Sequence, residues 1–536
     1  MEMKKQKKII GGMILVLAVT ACASFFKSAA EEIAQEETSE IYQNEIKTIY
    51  TEAYQDEVET QIEEEKSSGA YTEDNMLIKE NPYGTNTLSL YVYFTTQEPV
   101  SVSYNVSVPD LSIGDFSQTP EGEGRFDTEH EFQVMGLIPE ECNTITFTLT
   151  KEDGSVEIYS YVHEMGELSG KEEIQLKQTE AAEGSETVSD GLYVVLGNDS
   201  DEEDFMYYYD NSGVLRGEIP LIGYRSHRLL FRDDCMYYSI SESKIAAVNH
   251  LGKAEKIYDT GTYSLHHDYV FDKNGNMLIL ATDTTQDSVE DIVLKLDVNS
   301  GEVTKVLDLG DLLGDYKKTC VRNSSDELDW MHINTIQYMG NGSVLLSSRE
   351  TSTIIKVDNL YDEPSIAYMI GEKDFWEDTS YVSCLLNKKG DFTIQGGQHT
   401  ITYETDESLA DGQYYLYMFN NNIGISETRP DYDWSSIGLK TSSAVDEKNS
   451  KYYKYLVDEN EGTFELVDSF KVPYSGYVSS AQDIGDNVLT DSGLKGTFTE
   501  YDEDHKAIAT YKMDYEKFIY RVFKYNFEGF YFGKSE

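Results

Sequence analysis

Histidine is rare in this chain, and the histidines best placed for chemistry lie beside predicted hairpin turns. Only nine His occur among 536 residues. His332 lies ten residues before the turn glycine Gly342, and His266 lies nine residues before Gly275. Both positions correspond to the start of the first strand of a hairpin. An imidazole there can act as a nucleophile, a general acid or base, or a metal ligand.

Arg349 and His399 occupy the complementary position of a hairpin. Arg349 lies seven residues after Gly342, and His399 lies nine residues after Gly390, so each is expected at the end of a second strand. The start of the first strand and the end of the second are neighbours in an antiparallel pair. Three hairpins are therefore expected to bring three imidazoles and one guanidinium to the same mouth of a channel.

Strand alternation predicts which neighbours share this mouth. Asn334 follows His332 by two residues and Asp268 follows His266 by two, so each pair is expected on one face of its strand. The same alternation places His266 and His267 on opposite faces. Which of the two faces the channel stays open, although the matching His-x-Asp and His-x-Asn patterns favour His266.

The predicted cluster suits a small anion. A guanidinium offers a fork of donors that matches a tetrahedral oxyanion, and such a cluster offsets the repulsion from a formal net charge of −55. Trp330 is predicted either to stack on an aromatic group or to pack in the core. Ser479 and Ser480, at the start of the last hairpin, either reach the same mouth or are structural.

The composition predicts extended structure around sizeable cores. Hydrophobic residues make up 39% of the chain and aromatic residues 12%, and 41 Tyr against nine Pro favour β-strands. The acidity argues against nucleic acid as a partner, because binding phosphates needs Lys and Arg. Five Cys exclude a disulfide-dense scaffold, and the sequence does not determine how Cys142, Cys235, Cys320 and Cys384 pair.

The first residues have the plan of a secretory signal. Four Lys precede the apolar stretch Ile9 to Val19, and small residues follow it. Val19-Thr20-Ala21-Cys22 resembles the lipoprotein cleavage box, so we expect removal of residues 1–21 and lipidation of Cys22. The protein is then expected outside the cytoplasm, lipid-anchored to the outer face of the bacterial cytoplasmic membrane. The alternatives are an uncleaved anchor helix and an ordinary signal with a coincidental Cys.

Three regions follow the predicted signal. Residues 22–75 are expected to form an acidic helical stalk, either a solvated spacer or a dimerising coiled coil. Residues 80–170 alternate apolar and polar positions between turns, which predicts a small β-sandwich domain. Residues 185–536 contain further strands and recurring hairpin turns. The apolar stripe of the stalk consists of Ile46, Tyr50, Tyr54, Val58 and Ile62.

The long third region predicts a six-bladed β-propeller, and thus an all-β fold for the whole chain. A closed propeller leaves only short, protected sheet edges. A two-domain sandwich is the structural alternative. The six units are expected near residues 190–220, 228–258, 266–308, 332–370, 382–428 and 478–535.

Several motifs resemble those of the bacterial arylsulfate sulfotransferases, which need no nucleotide sulfate donor. The resemblance covers roughly residues 80–536. It implies a six-bladed propeller behind a small N-terminal β domain, and transfer of a sulfuryl group from one phenol to another. The motifs are Asp329-Trp330-Met331-His332-Ile333-Asn334, the stretch from Gly342 to Arg349 and on to Asp358, His266-His267-Asp268, and Gly397-Gln398-His399-Thr400.

The resemblance also implies roles for individual residues. His399 matches the nucleophile that becomes a sulfohistidine, with ping-pong kinetics. His332 and His266 match residues that hold sulfuryl oxygens and handle the phenol proton. Arg349 matches the anion clamp and Asn334 a donor to a sulfuryl oxygen. The further substrate-binding positions expected are His267, Trp330 and Ser480.

The same resemblance implies partners and one departure. Phenolic sulfates and phenols are the expected small-molecule partners, without a cofactor or a metal, and a homodimer is compatible with the family. Better-known periplasmic members have a close cysteine pair upstream of the nucleophile. Here only Cys384 lies nearby, so that disulfide is not available.

Two rival interpretations remain at this stage. Three His with Asp268 can be interpreted as a zinc site, although Arg349 opposes a cation and the sequence lacks a His-x-x-x-His motif. A non-catalytic, surface-anchored β-propeller binding module is the second rival. The argument against it is the joint presence of four polar residues, His332, Asn334, Arg349 and His399.

Overall fold

The computed structural model describes residues 43–534 except 110, 123, 171, 184–186, 198–204, 442–448 and 516. The predicted signal segment 1–21 and the predicted lipidation site Cys22 lie outside the described residues. Within the described part of the chain, no helix is both long enough and apolar enough to cross a membrane.

The N-terminal domain is built around one long bent strand, β2. The first half of β2 pairs with β1 and β4, and its second half pairs with β5 and β3. Pro99, which has no N–H to donate, lies between the halves where the pairing register shifts. The strands are β1 (Leu77–Glu80), β2 (Ser89–Ser107), β3 (Phe116–Gln118), β4 (Asp127–Met135), β5 (Cys142–Lys151) and β6 (Val156–Glu164).

The two halves of this sheet face each other across an aromatic core. The Tyr104 ring from β2 stacks on Phe132 from β4 at 6.5 Å, and Phe132 lies 6.4 Å from Phe147 on β5. All three side chains are buried. The bend of β2 therefore produces the sandwich-like packing expected for this region.

The acidic helix predicted from the apolar stripe is present, but it does not stand free as a stalk. Helix α1 spans 43–49 and α2 spans Glu52–Ser68. In α2 the buried Gln55 side chain donates to the Tyr83 carbonyl and accepts from the Ala254 N–H, and Ile62 is buried beside Tyr83. The expectation of a solvated spacer is therefore wrong over α2, because these residues pack on the folded body.

Six further sheets, each of four or five antiparallel strands apart from one short parallel pairing, make up the rest of the described chain. The all-β, propeller-like architecture is thus confirmed. In sheet order from outer to inner edge, the first three are β10 (Leu215–Pro220), β9 (Phe205–Tyr209), β8 (Leu192–Val195) and β32 (Val522–Tyr525); then β14 (Ala254–Asp259), β13 (Lys244–Asn249), β12 (Cys235–Ser241) and β11 (Leu230–Arg232); then β18 (Val303–Asp308), β17 (Ile292–Leu296), β16 (Met277–Asp283) and β15 (Tyr263–Phe271).

The last three sheets follow the same plan with short additions. They are β22 (Ser365–Ile370), β21 (Thr353–Asp358), β20 (Ser343–Ser348) and β19 (Ile333–Gly340); β23 (Asn387–Lys389), β27 (Thr463–Pro473), β26 (Asn449–Asp458), β25 (Gln413–Asn420) and β24 (His399–Glu404); and β7 (Lys177–Glu180), β31 (Ala507–Lys512), β30 (Thr497–Tyr501), β29 (Asn487–Ser492) and β28 (Ser480–Ile484). The short helices are α3 (Leu309–Leu312), α4 (Gly314–Lys317) and α5 (Lys373–Trp376), with 3₁₀ turns at Ser380–Cys384, Trp434–Ile437 and Gly493–Lys495.

The inner strands lie side by side, and distant parts of the chain complete two of the sheets. Strand β15 contacts β19, β19 contacts β24, β24 contacts β28 and β28 contacts β32. Strand β32 pairs with β8 in the first sheet, and β7 pairs with β31 in the last. The unit expected at 478–535 is therefore shared between two sheets.

The turn at Gly390 is not the hairpin that the sequence predicted. Strand β23 before it has three residues and pairs in parallel with β27 at the outer edge of its sheet. His399 consequently begins the inner strand β24 and does not end a second hairpin strand. His399 is still at the end of an inner strand, but it is the first residue of β24 and not the last residue of a hairpin.

A candidate active site at the start of the inner strands

A polar residue lies at or near the start of each inner strand. This set forms the candidate site. Its members are Arg521 before β32, His227 before β11, His266 and His267 within β15, His332 before β19, His399 at the start of β24, and Ser479 and Ser480 at the start of β28.

A bulge in β15 brings both adjacent histidines to one place. The register with β16 shifts between Leu265 and Tyr269, and His267 has a left-handed φ of 55°. Alternation is lost there, so Nδ1 of His266 lies 3.1 Å from Nδ1 of His267. The expectation that these two side chains occupy opposite faces is therefore wrong. Asp268 lies apart from them, paired with Arg228 at 2.9 Å.

Left-handed backbone recurs at the other strand starts. His332 has φ 48°, Thr400 has φ 50° and Ser479 has φ 90°. Such conformations cost roughly 1–3 kcal/mol each for non-glycine residues and persist only where the surroundings hold them. Backbone strain of this kind clusters at functional sites. Its occurrence at these strand starts therefore supports the assignment of the polar residues there as a functional site.

His332 is held between two carboxylates. Its Nδ1 lies 2.6 Å from Oδ2 of Asp329 and 2.9 Å from Oε2 of Glu290. Burial alone would lower the pKa of His332, but the charges of Asp329 and Glu290 raise it to about 10. Burial would raise the pKa of Glu290, yet the neighbouring His332 and His266 lower it to about 2. His332 is therefore an imidazolium at neutral pH, and Glu290 is ionised.

Arg349 lies against the other ring nitrogen of His332. Its Nη1 is 3.1 Å from Nε2 of His332, and its backbone N–H donates to the His332 carbonyl at 3.1 Å. Two cations this close repel each other unless negative charge lies between or beside them. The pair is therefore suited to binding a small anion, as the sequence analysis expected.

The tautomer of His399 is fixed by its neighbours. Nδ1 lies 2.8 Å from Oδ1 of Asn421 and 3.0 Å from the Gly397 carbonyl, and both atoms are acceptors. The Asn421 amide donates in turn to the carbonyls of Ser475 and Val478, which fixes the direction of its oxygen. Nδ1 of His399 therefore carries the proton, and Nε2 has a free lone pair.

His399 is also kept neutral. Burial lowers the pKa of His399, the bond to Asn421 raises it, and the positive charges of Arg349, Arg521 and His332 lower it; together these effects give a pKa of about 3. The Gln398 amide, directly before His399, donates to the carbonyl of Ser348, directly before Arg349, at 3.1 Å, so His399 and Arg349 lie near each other. A neutral, oriented imidazole next to a cationic pair has the properties of a nucleophile facing an anion site.

Asn334 and Arg521 hold the backbone of the site. The Asn334 amide donates to the Gln398 carbonyl at 2.8 Å, directly before His399. Arg521 is fully buried and donates to the carbonyls of His267 at 2.6 Å and Asn334 at 2.7 Å. No local pattern in the sequence marks Arg521, because its partners come from two other sheets.

The side chains of Trp330 and Ser480, which were expected to bind substrate, make contacts outside the anion site. The Trp330 ring is fully buried, donates to Asp291 at 2.8 Å and packs 5.9 Å from Tyr316. The Ser480 hydroxyl donates to the Val522 carbonyl and accepts from the Val522 N–H. Trp330 is thus a core residue behind the site and offers no exposed face for stacking, and Ser480 fastens β28 to β32.

Two overlapping groups of side chains have metal-ligand geometry. His266, His267 and Glu290 form one, and Glu290, Asp329 and His332 form the other, with ligand atoms of each group within 4.8 Å of one another. The rival zinc set that included Asp268 is not formed, since that carboxylate pairs with Arg228. In the second group the guanidinium of Arg349 opposes a cation and favours an anion.

Glu290 and Asn421 are two further functional groups that sequence reasoning missed. Glu290 lies in the loop before β17 and reaches His332 only through tertiary packing. Asn421 follows β25 within the run Asn420-Asn421-Asn422. Such a run of Asn at a strand end was a usable signal, because Asn there commonly hydrogen-bonds neighbouring backbone.

Comparison with known proteins identifies two family models along the chain. Residues 177–521 match the model described as arylsulfotransferase (ASST), and residues 77–166 match the arylsulfotransferase Ig-like domain. No curated protein matches the chain.

Three solved structures show weak overall similarity. A protein of unknown function from Bacteroides caccae is 10% identical with a TM-score of 0.36, covering 62% of this chain and 98% of its own. The WD40 domain of coronin from Toxoplasma gondii is 8% identical, with a TM-score of 0.31 and coverage of 64% and 75%. BamB from Moraxella catarrhalis is 10% identical, with a TM-score of 0.30 and coverage of 64% and 92%.

Proposed function

The chain belongs to the arylsulfotransferase family, and we propose that it moves a sulfuryl group from a phenolic sulfate ester to a phenolic acceptor through a sulfohistidine at His399. The observation that carries this proposal is the oriented lone pair on Nε2 of His399 beside the His332–Arg349 pair. This combination supplies a nucleophile and an anion site without a further group.

The first half-reaction uses the opposite charge states of the two histidines. Arg349 and His332 hold the sulfate ester through its anionic oxygens. Nε2 of His399 attacks sulfur, the S–N bond forms and the S–O bond to the aryl group breaks. The electron pair of that bond stays on the phenolic oxygen, which takes the Nε2 proton of His332 and leaves as a phenol.

The positive charge that develops on the His399 ring is stabilised at Nδ1, opposite the attacking Nε2. Sulfation at Nε2 makes the ring electron-poor and its Nδ1–H more acidic. The Asn421 oxygen and the Gly397 carbonyl accept from that N–H, so they strengthen their hold as the reaction proceeds. Interactions that strengthen in this way lower the barrier to the chemical step.

The second half-reaction reverses the proton movement. The neutral His332 removes the proton of an incoming phenol, the phenolic oxygen attacks sulfur, and the S–N bond breaks to restore the lone pair of His399. The pKa of His332 is about 10, close to that of a phenolic hydroxyl at about 10. A matched pKa lets the same residue act as acid in one half-reaction and base in the other.

The test is incubation with a chromogenic aryl sulfate, with and without added phenol. We expect sustained release of the chromophore only with the phenol, and a mass increase of one sulfo group on the protein when the donor is added alone. His399→Ala should lose both. Steady release into water without an acceptor would instead identify a sulfatase.

We further propose that the protein acts outside the cytoplasmic membrane, anchored through a lipid on Cys22. The order of Lys residues, apolar stretch and Cys-containing box supports this. Labelling of expressing bacteria with a fatty acid should mark the protein, and Cys22→Ser should abolish the label. A homodimer is proposed from the family alone, and light scattering of the purified protein tests it.

A further inference from the structure

His227 is an imidazole of the candidate site to which the proposed mechanism gives no role. His227 precedes β11 as His332 precedes β19. Its side chain is fully buried, and neither Nδ1 nor Nε2 has a hydrogen-bond partner among the described residues. Buried polar atoms without a partner destabilise a fold, so an apolar ring would serve packing better here.

Aromatic rings surround this imidazole and connect it to the reacting end of the site. The His227 ring lies 5.6 Å from Tyr224, 6.2 Å from Tyr269 and 5.8 Å from Tyr520. Tyr520 lies in turn 6.3 Å from His267. Arg521 also approaches the His227 carbonyl while it holds His267. The His267 ring lies 4.8 Å from that of His332, so Tyr520 and His267 connect His227 to a proposed catalytic residue.

A rim of aromatic rings and one guanidinium adjoins His227 and is partly exposed except at Tyr520, which is buried. We define the rim as Tyr224, Arg225, Tyr477, Phe518 and Tyr520. The Arg225 guanidinium lies 4.2 Å over the Tyr520 ring and 5.1 Å from Tyr224. Tyr477 is 37% exposed and packs edge-on against Phe518 at 5.7 Å. Flat faces of this kind are suited to stacking an aryl group.

The charge state of His227 limits what it can recognise. Burial, together with the positive charges of Arg225 and Arg521, lowers its pKa far below the ordinary value, so the ring is neutral. A neutral imidazole offers one N–H donor and one lone pair. A hydroxyl can pair with either nitrogen, whereas a carboxylate can use only the donor and an ammonium only the acceptor.

We propose that His227 hydrogen-bonds a hydroxyl substituent on the aryl group of a substrate held between the aromatic rim and His399, and so selects among phenols. This inference rests on the proposed function and adds a specificity residue to it. His227 touches no reacting atom in this account, so its loss is expected to change the ratio of kcat/KM between acceptors.

The test uses phenyl sulfate, whose ring carries no substituent, as donor. Acceptors are catechol, resorcinol and hydroquinone, each compared with the corresponding methylphenol. We expect the wild-type protein to favour at least one dihydroxy acceptor in kcat/KM by about tenfold, a value typical of one hydrogen bond and beyond the twofold statistical factor of two hydroxyls. His227→Phe should reduce the preference to that statistical factor, with the rates for the methylphenols as the internal reference.

Two controls separate the possible failures. His163→Phe, on the N-terminal strand β6, should behave like the wild type. If thermal unfolding shows that His227→Phe is misfolded, His227→Gln decides the matter, because its amide keeps a donor and an acceptor and should keep part of the preference. The inference is overturned if folded His227→Phe forms the sulfo adduct and keeps the wild-type preference for dihydroxy acceptors. It is also overturned if the wild-type protein shows no such preference. Absence of the adduct in the wild type overturns the proposed function instead.

Discussion

The side-chain oxygen of Asn421 accepts a hydrogen bond from Nδ1 of His399 at 2.8 Å, and this bond decides which ring nitrogen is available to attack. We predict that Asn421→Leu lowers the rate of sulfohistidine formation by about 10²- to 10³-fold, the usual effect of removing one preorganised polar partner. Rapid-quench mass analysis of the adduct measures this rate. Asn422→Ala, at the neighbouring exposed amide, is the matched control and should retain the wild-type rate.

A carboxylate in place of the same amide should move the pH profile. Asn421→Asp keeps an acceptor for Nδ1, but its negative charge favours the imidazolium and raises the pKa of His399 from about 3. The acid limb of the rate profile should therefore shift to higher pH. An acid limb at the same pH in wild type and variant would mean that another group controls it.

The role of His332 as a general acid predicts a dependence on the leaving group. His332→Gln should slow transfer from phenyl sulfate by about 10²- to 10⁴-fold, because the phenolate then leaves without a proton. Transfer from 4-nitrophenyl sulfate should be slowed far less, since nitrophenolate is a stable anion. The measurement is the slope of log kcat/KM against leaving-group pKa, which should be steeper in the variant. Equal slopes would assign His332 to binding alone.

The raised pKa of His332 also predicts a pH dependence of stability. A folded-state pKa of about 10, above the unfolded value of about 6.5, means that the carboxylates stabilise the imidazolium in the fold. This contribution is fully present below about pH 6.5 and is lost as pH rises through about 10. The difference in Tm between wild type and His332→Gln should therefore shrink between these two pH values, as calorimetry can measure. A constant difference would contradict the charged state assigned to His332.

Arg521 should contribute to stability as well as to the site. Arg521→Met removes donors to the carbonyls of His267 and Asn334 and leaves Asp268 with one fewer cation. We expect the free energy of unfolding to fall by about 3 kcal/mol, measured by urea denaturation. Arg125→Met, whose side chain is 64% exposed, should change it by less than about 0.5 kcal/mol. Equal effects of the two variants would mean that Arg521 is not the central support inferred here.

Counting residues from a turn glycine predicts side-chain neighbours correctly where the two strands that pair are joined by that turn. The turn at Gly342 joins β19 to β20, so counting from it placed His332 and Arg349 next to each other. Counting from Gly390 failed, because β23 pairs with a strand far along the chain. No local pattern marks such a pairing.

The other incorrect or missing sequence predictions have different physical causes. A period of two cannot anticipate the bulge that turns His267 toward His266. Glu290 meets His332 only after two sheets pack together, so its neighbourhood in the sequence carries no signal. Trp330 is fully buried, and its residue type alone does not separate a core ring from a binding surface.

The pairing of β32 with β8 has a consequence for the order of events during synthesis. Among the described strands, the last to leave the ribosome completes the first propeller sheet, and Arg521 arrives with it. Until then the earlier strands present an open edge, and the pocket lacks one of its supports. A prematurely terminated chain should therefore yield no partly working enzyme, and catalytic competence should appear in a single late step.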